Sequence, residues 1–115
     1  MPIQIKRAYE AAASGDGKRI LVDRLWPRGL SKEKAKVDLW MKDAAPSNKL
    51  RKWFDHDPAK WVEFQKRYRA ELAKQKELLA ELKREARAGT VTLVYGAHDE
   101  EHNNAAALVK ILNLK

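Results

Sequence analysis

Two short apolar runs, far apart in the chain, constrain the fold more than any other feature of this sequence. Residues 19–23 read Arg-Ile-Leu-Val-Asp, and residues 91–95 read Val-Thr-Leu-Val-Tyr. Both runs are compact and rich in β-branched side chains, which is typical of strands buried on both faces. Because the segment between them has helical patterns, the chain must cross over and return, which pairs the two strands in parallel.

The longest amphipathic pattern lies directly before the second run. Asp57 followed by Pro58 is a strong start signal for a helix, and Gly89 is suited to its end. Between them the apolar side chains recur at gaps of three, four or seven residues, as Trp61, Phe64, Tyr68, Leu72, Leu79, Leu82 and Ala86. We therefore expect one long amphipathic helix from Asp57 to about Ala88.

Shorter elements complete the predicted fold. Ile3 and Ile5, followed by Lys6 and Arg7, indicate a first strand. Three further helices have a capping residue at their start: Ser31 before 32–36, Ser47 before 48–54, and Asp99 before 100–112. We expect a small, mainly parallel three-strand sheet packed with helices, in a single α/β domain over 1–115.

Composition excludes several classes of protein. The 115 residues include no cysteine, so disulfides, thiolate catalysis and cysteine-ligated metals are excluded. No apolar run approaches the length of a membrane helix, and residues 1–7 lack the apolar core of a signal peptide. We therefore expect a cytoplasmic protein that uses no cofactor. The net charge of +8 favours an anionic partner, or serves only solubility.

Ligand sites in open parallel sheets lie beyond the carboxyl ends of the strands. That rule selects the polar and aromatic residues after the two runs: Asp23, Arg24, Trp26 and Arg28, then His98, His102 and Asn103. Guanidinium groups suit phosphate or carboxylate, so Arg24 and Arg28 are candidate anion ligands. Trp26, His98 and Asn103 are further candidates for ligand binding.

Two of these residues are candidates for catalysis. His102 suits general acid–base work, because a histidine near carboxylates titrates near neutral pH. Asp23 suits a base or a nucleophile, or it orients a neighbouring arginine. Asp23 and the acids at 99–101 leave two arrangements open. A closed network of arginine and carboxylates would be structural, whereas an arginine with a free fork facing an open pocket would be a binding site.

Two other histidine patterns carry weaker predictions. His98 to His102 matches the H-x-x-E-H pattern of some zinc peptidases. We expect no zinc site there, because His98 precedes the predicted cap and only a short segment follows His102. His56 lies between Asp55 and Asp57, and it lines the same cleft only if the helix junction folds over the sheet edge.

The basic side chains of the long helix support a rival function. One flank of the predicted helix carries Lys66, Arg69, Lys76, Lys83 and Arg84. A basic flank of this kind can follow a phosphate backbone, or it is simply a solvated face. The preferred expectation is a cleft that binds an anionic small molecule, with or without catalysis. The alternative is a module that binds nucleic acid or an acidic protein.

Three blocks of the sequence resemble a known family. The blocks are residues 19–32, which contain Leu-Trp-Pro-Arg-Gly, residues 45–58, and residues 91–105. They are similar to the short, YeaO-like members of a bacterial family named domain of unknown function 488, over essentially the whole chain. The resemblance implies a compact α/β domain and no established activity. Longer relatives have Cys-His-Arg where this chain has Glu101, His102 and Asn103, so a thiol mechanism is excluded here.

Overall fold

A four-stranded parallel sheet forms the centre of the protein in the computed structural model, which describes residues 3–113. The strands are β1 (Ile3–Arg7), β2 (Lys18–Leu21), β3 (Leu39–Trp40) and β4 (Val91–Tyr95), in the order β1-β4-β2-β3. The predicted α/β class with a parallel sheet is confirmed, and the predicted count of three strands is wrong. The missed strand, β3, has two residues, which is too short for a periodic signal.

The two apolar runs are neighbouring parallel strands, as the helical segment between them predicts. Strands β2 and β4 pair in parallel, with Ile20 opposite Leu93 and Leu21 opposite Val94. The N–H of Val22 continues the ladder by donating to the Val94 carbonyl at 3.1 Å. The carboxyl ends of β2 and β4 therefore open at the same edge of the sheet, and the loops that follow them meet there.

Residues 3–113 form five α-helices that pack against the sheet. They are α1 (Lys32–Ala35), α2 (Asn48–Phe54), α3 (Trp61–Leu72), α4 (Lys76–Ala88) and α5 (Asn104–Asn113). The hydroxyls of Ser31 and Ser47 cap α1 and α2, as predicted. The carboxylate of Asp57 accepts the Ala59 N–H at 3.0 Å and opens a 3₁₀ turn that leads into α3. None of these helices is both long and apolar enough to cross a membrane.

The predicted long helix is two helices, α3 and α4, separated by residues 73–75. The N–H of Gln75 donates to the Leu72 carbonyl at 2.8 Å, which tightens and ends α3. The apolar stripe has a gap of seven residues between Leu72 and Leu79, and the two positions that would fill it, Gln75 and Lys76, are exposed. Without an apolar side chain in that turn, packing does not hold it in the helix.

The last helix begins at Asn104, four residues later than the predicted start at Glu100. The Asp99 carboxylate does accept two backbone N–H groups of the following turn, at 2.9 Å each, but that turn does not continue as a helix. The side-chain oxygen of Asn103 accepts the Ala106 N–H at 2.8 Å and is the cap of α5.

The two faces of the sheet bury different side chains. The main core lies between one face and the helices, and it includes a run of aromatic rings in which Phe54 and Phe64 stack at 4.3 Å. The other face carries a smaller cluster with Leu21 and Val94 at its centre, against which Trp26 packs. The main core and its helices therefore cover one face of the sheet, and the loop after β2 crosses to the other face.

Candidate functional site

A cavity of about 560 Å³ lies beyond the carboxyl ends of β2 and β4. We call it the site cavity. Its volume is in the range of pockets that hold small organic ligands. Its lining comes from the loops after both strands, from the segment before α2, and from α2, α3 and α5: Asp23, Arg24, Leu25, Ala45, Pro46, Arg51, Phe54, His56, Phe64, Gly96, Ala97, His98, Asp99, His102, Asn103 and Asn104.

Most of the residues that the carboxyl-end rule selects line the site cavity, and two do not. The lining includes Asp23, Arg24, His98, His102 and Asn103. Trp26 turns to the opposite face of the sheet, where its ring meets Trp40 edge to face at 5.4 Å. Arg28 is exposed on the same loop, and its carbonyl accepts the Tyr9 hydroxyl at 2.8 Å. The loop after β2 therefore places only its first residues in the cavity.

All three histidines of the chain line the site cavity. His56 is brought there by the end of α2, because Asp55 and His56 both adopt left-handed backbone, with φ of 45° and 53°. Left-handed backbone is uncommon for residues other than glycine, and it turns the chain sharply at this junction. His98 lies against Arg7, with Nδ1 3.4 Å from a guanidinium nitrogen.

His102 is held in place from two sides. Its Nδ1 lies 2.9 Å from the Asp99 carboxylate, and its ring meets Trp61 edge to face at 5.2 Å. The backbone N–H groups of His102 and Glu101, together with the imidazole, hold the pKa of Asp99 below its ordinary value. Asp99 is therefore a carboxylate at neutral pH. Because a carboxylate only accepts, this contact holds the Nδ1 edge of the His102 ring and leaves Nε2 unengaged by Asp99.

Asn103 has a structural task within the lining. Its side-chain oxygen caps α5, and its amide nitrogen donates to the Asp99 carbonyl at 3.0 Å. The side chain is 3% exposed. Both ends of the amide are thus engaged within the protein, so Asn103 fixes the turn that carries His102 rather than offering a free polar group.

Asp23 lies at the junction of the two central strands. Its carboxylate accepts the Gly96 N–H at 2.8 Å, which joins the first residues after β2 and β4. Burial raises the pKa of Asp23 above its ordinary value, although the Gly96 N–H, the Asn104 side chain and the charge of Arg51 oppose this. No arginine forms a close ion pair with Asp23 among residues 3–113. The closed arginine–carboxylate network is therefore not the arrangement around Asp23.

Asp23→Asn should raise the free energy of unfolding at pH 7 by an amount on the order of 1 kcal/mol. The amide keeps an acceptor for the Gly96 N–H and removes the cost of burying a charge. Below the ordinary aspartate pKa the carboxyl is protonated in both states, so the gain should vanish near pH 3. As the pH rises, the unfolded chain ionises first, and the native protein loses stability relative to the variant until the folded-state pKa is passed.

Urea denaturation at several pH values measures this difference. Asp43→Asn is the matched control, because the Asp43 side chain is 76% exposed and should show no such gain. An Asp23→Asn variant that is less stable than the native protein at pH 7 would contradict the prediction. That result would mean that the negative charge stabilises the junction of the strands.

Two arginines in the lining have few partners within the protein. Arg24 donates to the Ala45 carbonyl at 3.3 Å, and its other terminal nitrogen is 3.9 Å from an Asp43 oxygen. Within residues 3–113, its Nε is buried with no hydrogen-bond partner. In the same part of the chain, the Arg51 side chain reaches only the side chain of Asn48, at 3.4 Å. Both guanidinium groups thus retain donor capacity for a ligand.

Arg51 is a charged lining residue that the sequence analysis did not select. It lies on α2, three residues before the buried Phe54, so its side chain borders the apolar face of the helix. That spacing is a signal that the sequence contains. It does not say which edge of the sheet α2 crosses, and only the packing of α2 on the sheet brings Arg51 to the cavity.

Two other sequence predictions concern a zinc site at His98 to His102 and a basic flank on the long helix. No three histidine, aspartate or glutamate side chains between residues 3 and 113 come together as a group that could hold a metal ion. The proposed basic flank is divided by the break between α3 and α4. Lys66 and Arg69 lie on α3, whereas Lys76, Lys83 and Arg84 lie on α4. One straight basic face on a continuous helix is therefore not formed.

The geometry defines a small parallel α/β domain with a cavity of polar and apolar side chains at the carboxyl edge of its sheet. Within that class, the chain belongs to the family DUF488-N3i, described as the inactive DUF488-N3 subclade, whose sequence profile matches residues 2–115. The resemblance that the three sequence blocks indicate is thereby confirmed.

Bacterial relatives match nearly the whole chain. The uncharacterized protein YeaO of Escherichia coli K12 is 42% identical over 108 residues, which are 94% of each chain. The uncharacterized proteins Rv3073c of Mycobacterium tuberculosis H37Rv and Mb3100c of Mycobacterium bovis are each 40% identical over 111 residues, which are 96% of this chain and 93% of the relative. No solved structure shows a significant match to the chain.

Proposed function

We propose that the protein binds a small organic anion in the site cavity and does not transform it. One observation carries this proposal. Two arginines with spare donors and all three histidines of the chain line a single cavity. A ligand-binding site is the economical reason for collecting these side chains at one edge of the sheet.

An anion is favoured because of the donors that are available. Guanidinium groups only donate, and their geometry fits the oxygens of carboxylate and phosphate. A buried donor without a partner costs about 1–3 kcal/mol, so Arg24 gains if a ligand lets its guanidinium turn toward an acceptor. The net charge of +8 also draws anions toward the surface.

Binding is favoured over catalysis by two facts. The chain has no cysteine for a thiol mechanism, and its family is described as inactive. The catalytic candidates, His102 and Asp23, then serve the structure of the binding site. Asp99 holds the His102 ring in the lining, and Asp23 keeps the two strand ends together.

The test is a thermal-shift screen followed by titration calorimetry, using inorganic phosphate, phosphate monoesters, and mono- and dicarboxylates as probes. A ligand at about one hundred times its Kd stabilises the fold by about 2.7 kcal/mol, which such a screen detects. Arg24→Ala combined with Arg51→Ala should weaken binding of the best probe at least about tenfold, the scale of one lost charge-assisted hydrogen bond. Arg84→Ala, on the exposed face of α4, should not change it.

Two outcomes would count against the proposal. Failure of every anion to stabilise the protein would remove its basis, and an equal loss in Arg84→Ala would indicate general charge attraction. Tight, salt-sensitive binding of nucleic acid that is lost in a Lys76, Lys83 and Arg84 triple variant would support the alternative function. We expect little nucleic-acid binding at physiological salt, since the basic side chains are divided between two helices.

A further inference from the structure

We infer that the ligand of the site cavity carries an apolar body beside its anionic group, as a medium-chain or aromatic carboxylate does. This inference rests on the proposed function and specifies the class of ligand. It follows from three features of the cavity: an apolar wall in addition to its polar side chains, an exposed leucine in the lining, and a volume that a simple ion does not fill.

The apolar wall is rigid. Phe54 and Phe64 both line the site cavity, and they are only 5% and 1% exposed. Their rings stack at 4.3 Å and belong to the main core, so they do not move aside to let water solvate the wall. Ala45 and Pro46 extend the same wall with apolar atoms. The side chains of this wall offer a ligand no hydrogen-bonding groups, so they favour apolar atoms beside them.

Leu25 marks the opening of the cavity. It lines the cavity and is 65% exposed, one of three large hydrophobic side chains with high exposure among residues 3–113. It follows Arg24 directly in the chain, so a cationic and an apolar side chain stand side by side on one loop. A ligand whose charged group meets Arg24 and whose carbon body covers Leu25 would use both residues at once.

The volume agrees with such a ligand. The cavity has about 560 Å³, whereas one water molecule takes a share of about 30 Å³ in the liquid. Inorganic phosphate or acetate would occupy a small part of this space and leave the rest to water. A molecule with several carbon atoms beside its carboxylate would displace that water and cover the exposed side chain of Leu25, which strengthens binding in proportion to the apolar area covered.

Calorimetric titration of the intact protein with acetate, butyrate, hexanoate and octanoate tests the inference. Affinity should rise about fourfold for each added methylene until the apolar wall is covered. Leu25→Ser should reduce the affinity for hexanoate severalfold more than the affinity for acetate. Val62→Ser is the matched control, because Val62 is 66% exposed on α3 and does not line the cavity. It should leave the series unchanged.

Hexanamide tests whether the ligand must be charged, and inorganic phosphate tests whether it must have an apolar body. Hexanamide has the same chain without the charge, and it should bind at least about tenfold more weakly than hexanoate. Equal binding of the two would overturn the anionic part of the inference. A flat series, with acetate or phosphate binding that depends on Arg24 and Arg51, would overturn the apolar body and leave the proposed function standing. Failure of all probes to bind would contradict both.

Discussion

Gly17→Ala is expected to lower the free energy of unfolding by about 3 kcal/mol or more. A Cβ at residue 17 would lie 2.2 Å from the backbone oxygen of Thr90, a distance that no real contact shows. Gly17 also has a φ of +62°, in the region that favours glycine. The next residue, Lys18, donates to the same Thr90 oxygen at 2.9 Å, so the two backbones cannot separate without losing the first bond between β2 and β4.

Gly29→Ala is the matched control for this substitution. Gly29 has a φ of +77°, yet nothing lies within 4 Å of the position of its Cβ. Its replacement should therefore cost only the backbone strain, about 1–2 kcal/mol. Urea denaturation of both variants measures the two losses in free energy of unfolding, and their difference is the cost of the close approach at Thr90. Equal losses in the two variants would mean that the strands adjust at Thr90 and that the close approach is not a constraint.

The requirement for glycine at residue 17 could not be predicted from the local sequence. The cluster at 14–17 predicts a turn, because it contains two glycines next to serine and aspartate. The cluster does not tell which glycine is required. Gly15 has open space around it, whereas Gly17 is pressed against Thr90. The requirement comes from a residue that is distant in the chain, so no local pattern contains it.

The central strands and the capped starts of the helices could be predicted because their signals are local. The run at 91–95 is β4 itself, and the hydroxyl caps Ser31 and Ser47 begin the helices that they predict. Strand β3 and the break between α3 and α4 at residues 73–75 could not be predicted, because both depend on what packs against them. A two-residue strand exists only through its pairing with β2, and the break follows from the missing apolar contact.

The residues of the site also divide into those set by local sequence and those set by packing. Asp23, Arg24, His98 and His102 could be selected, because the rule for parallel sheets needs only the strand ends. Arg51 and His56 reach the cavity through the position of α2, which is set by the packing of its apolar face on the sheet. Trp26 and Arg28 were selected by the same rule and leave the cavity, because the loop after β2 crosses to the other face of the sheet. The rule identifies the carboxyl edge of the sheet, whereas the course of each loop determines which of its residues line the cavity.

Leu72→Ala is expected to lower the free energy of unfolding by about 2–5 kcal/mol. Leu72 is the last residue of α3, is 2% exposed, and belongs to the main core. Removing its isobutyl group leaves a cavity that the surrounding side chains fill only in part. The loss adds the lost burial of the removed carbons to the cost of that cavity. Urea or thermal denaturation of the intact protein measures it.

Leu79→Ala is the internal comparison, and it also tests the break in the helix. Leu79 follows the break and is only half-buried, so its loss should be clearly smaller than that of Leu72. A single continuous helix would present the two leucines equally to the core, and their replacement would then cost similar amounts. A loss below ~0.5 kcal/mol for Leu72→Ala would mean that this face of α3 meets solvent. The burial of Tyr68 and Phe64, one and two turns earlier on the same face, would then be wrong as well, and with it the apolar wall of the site cavity.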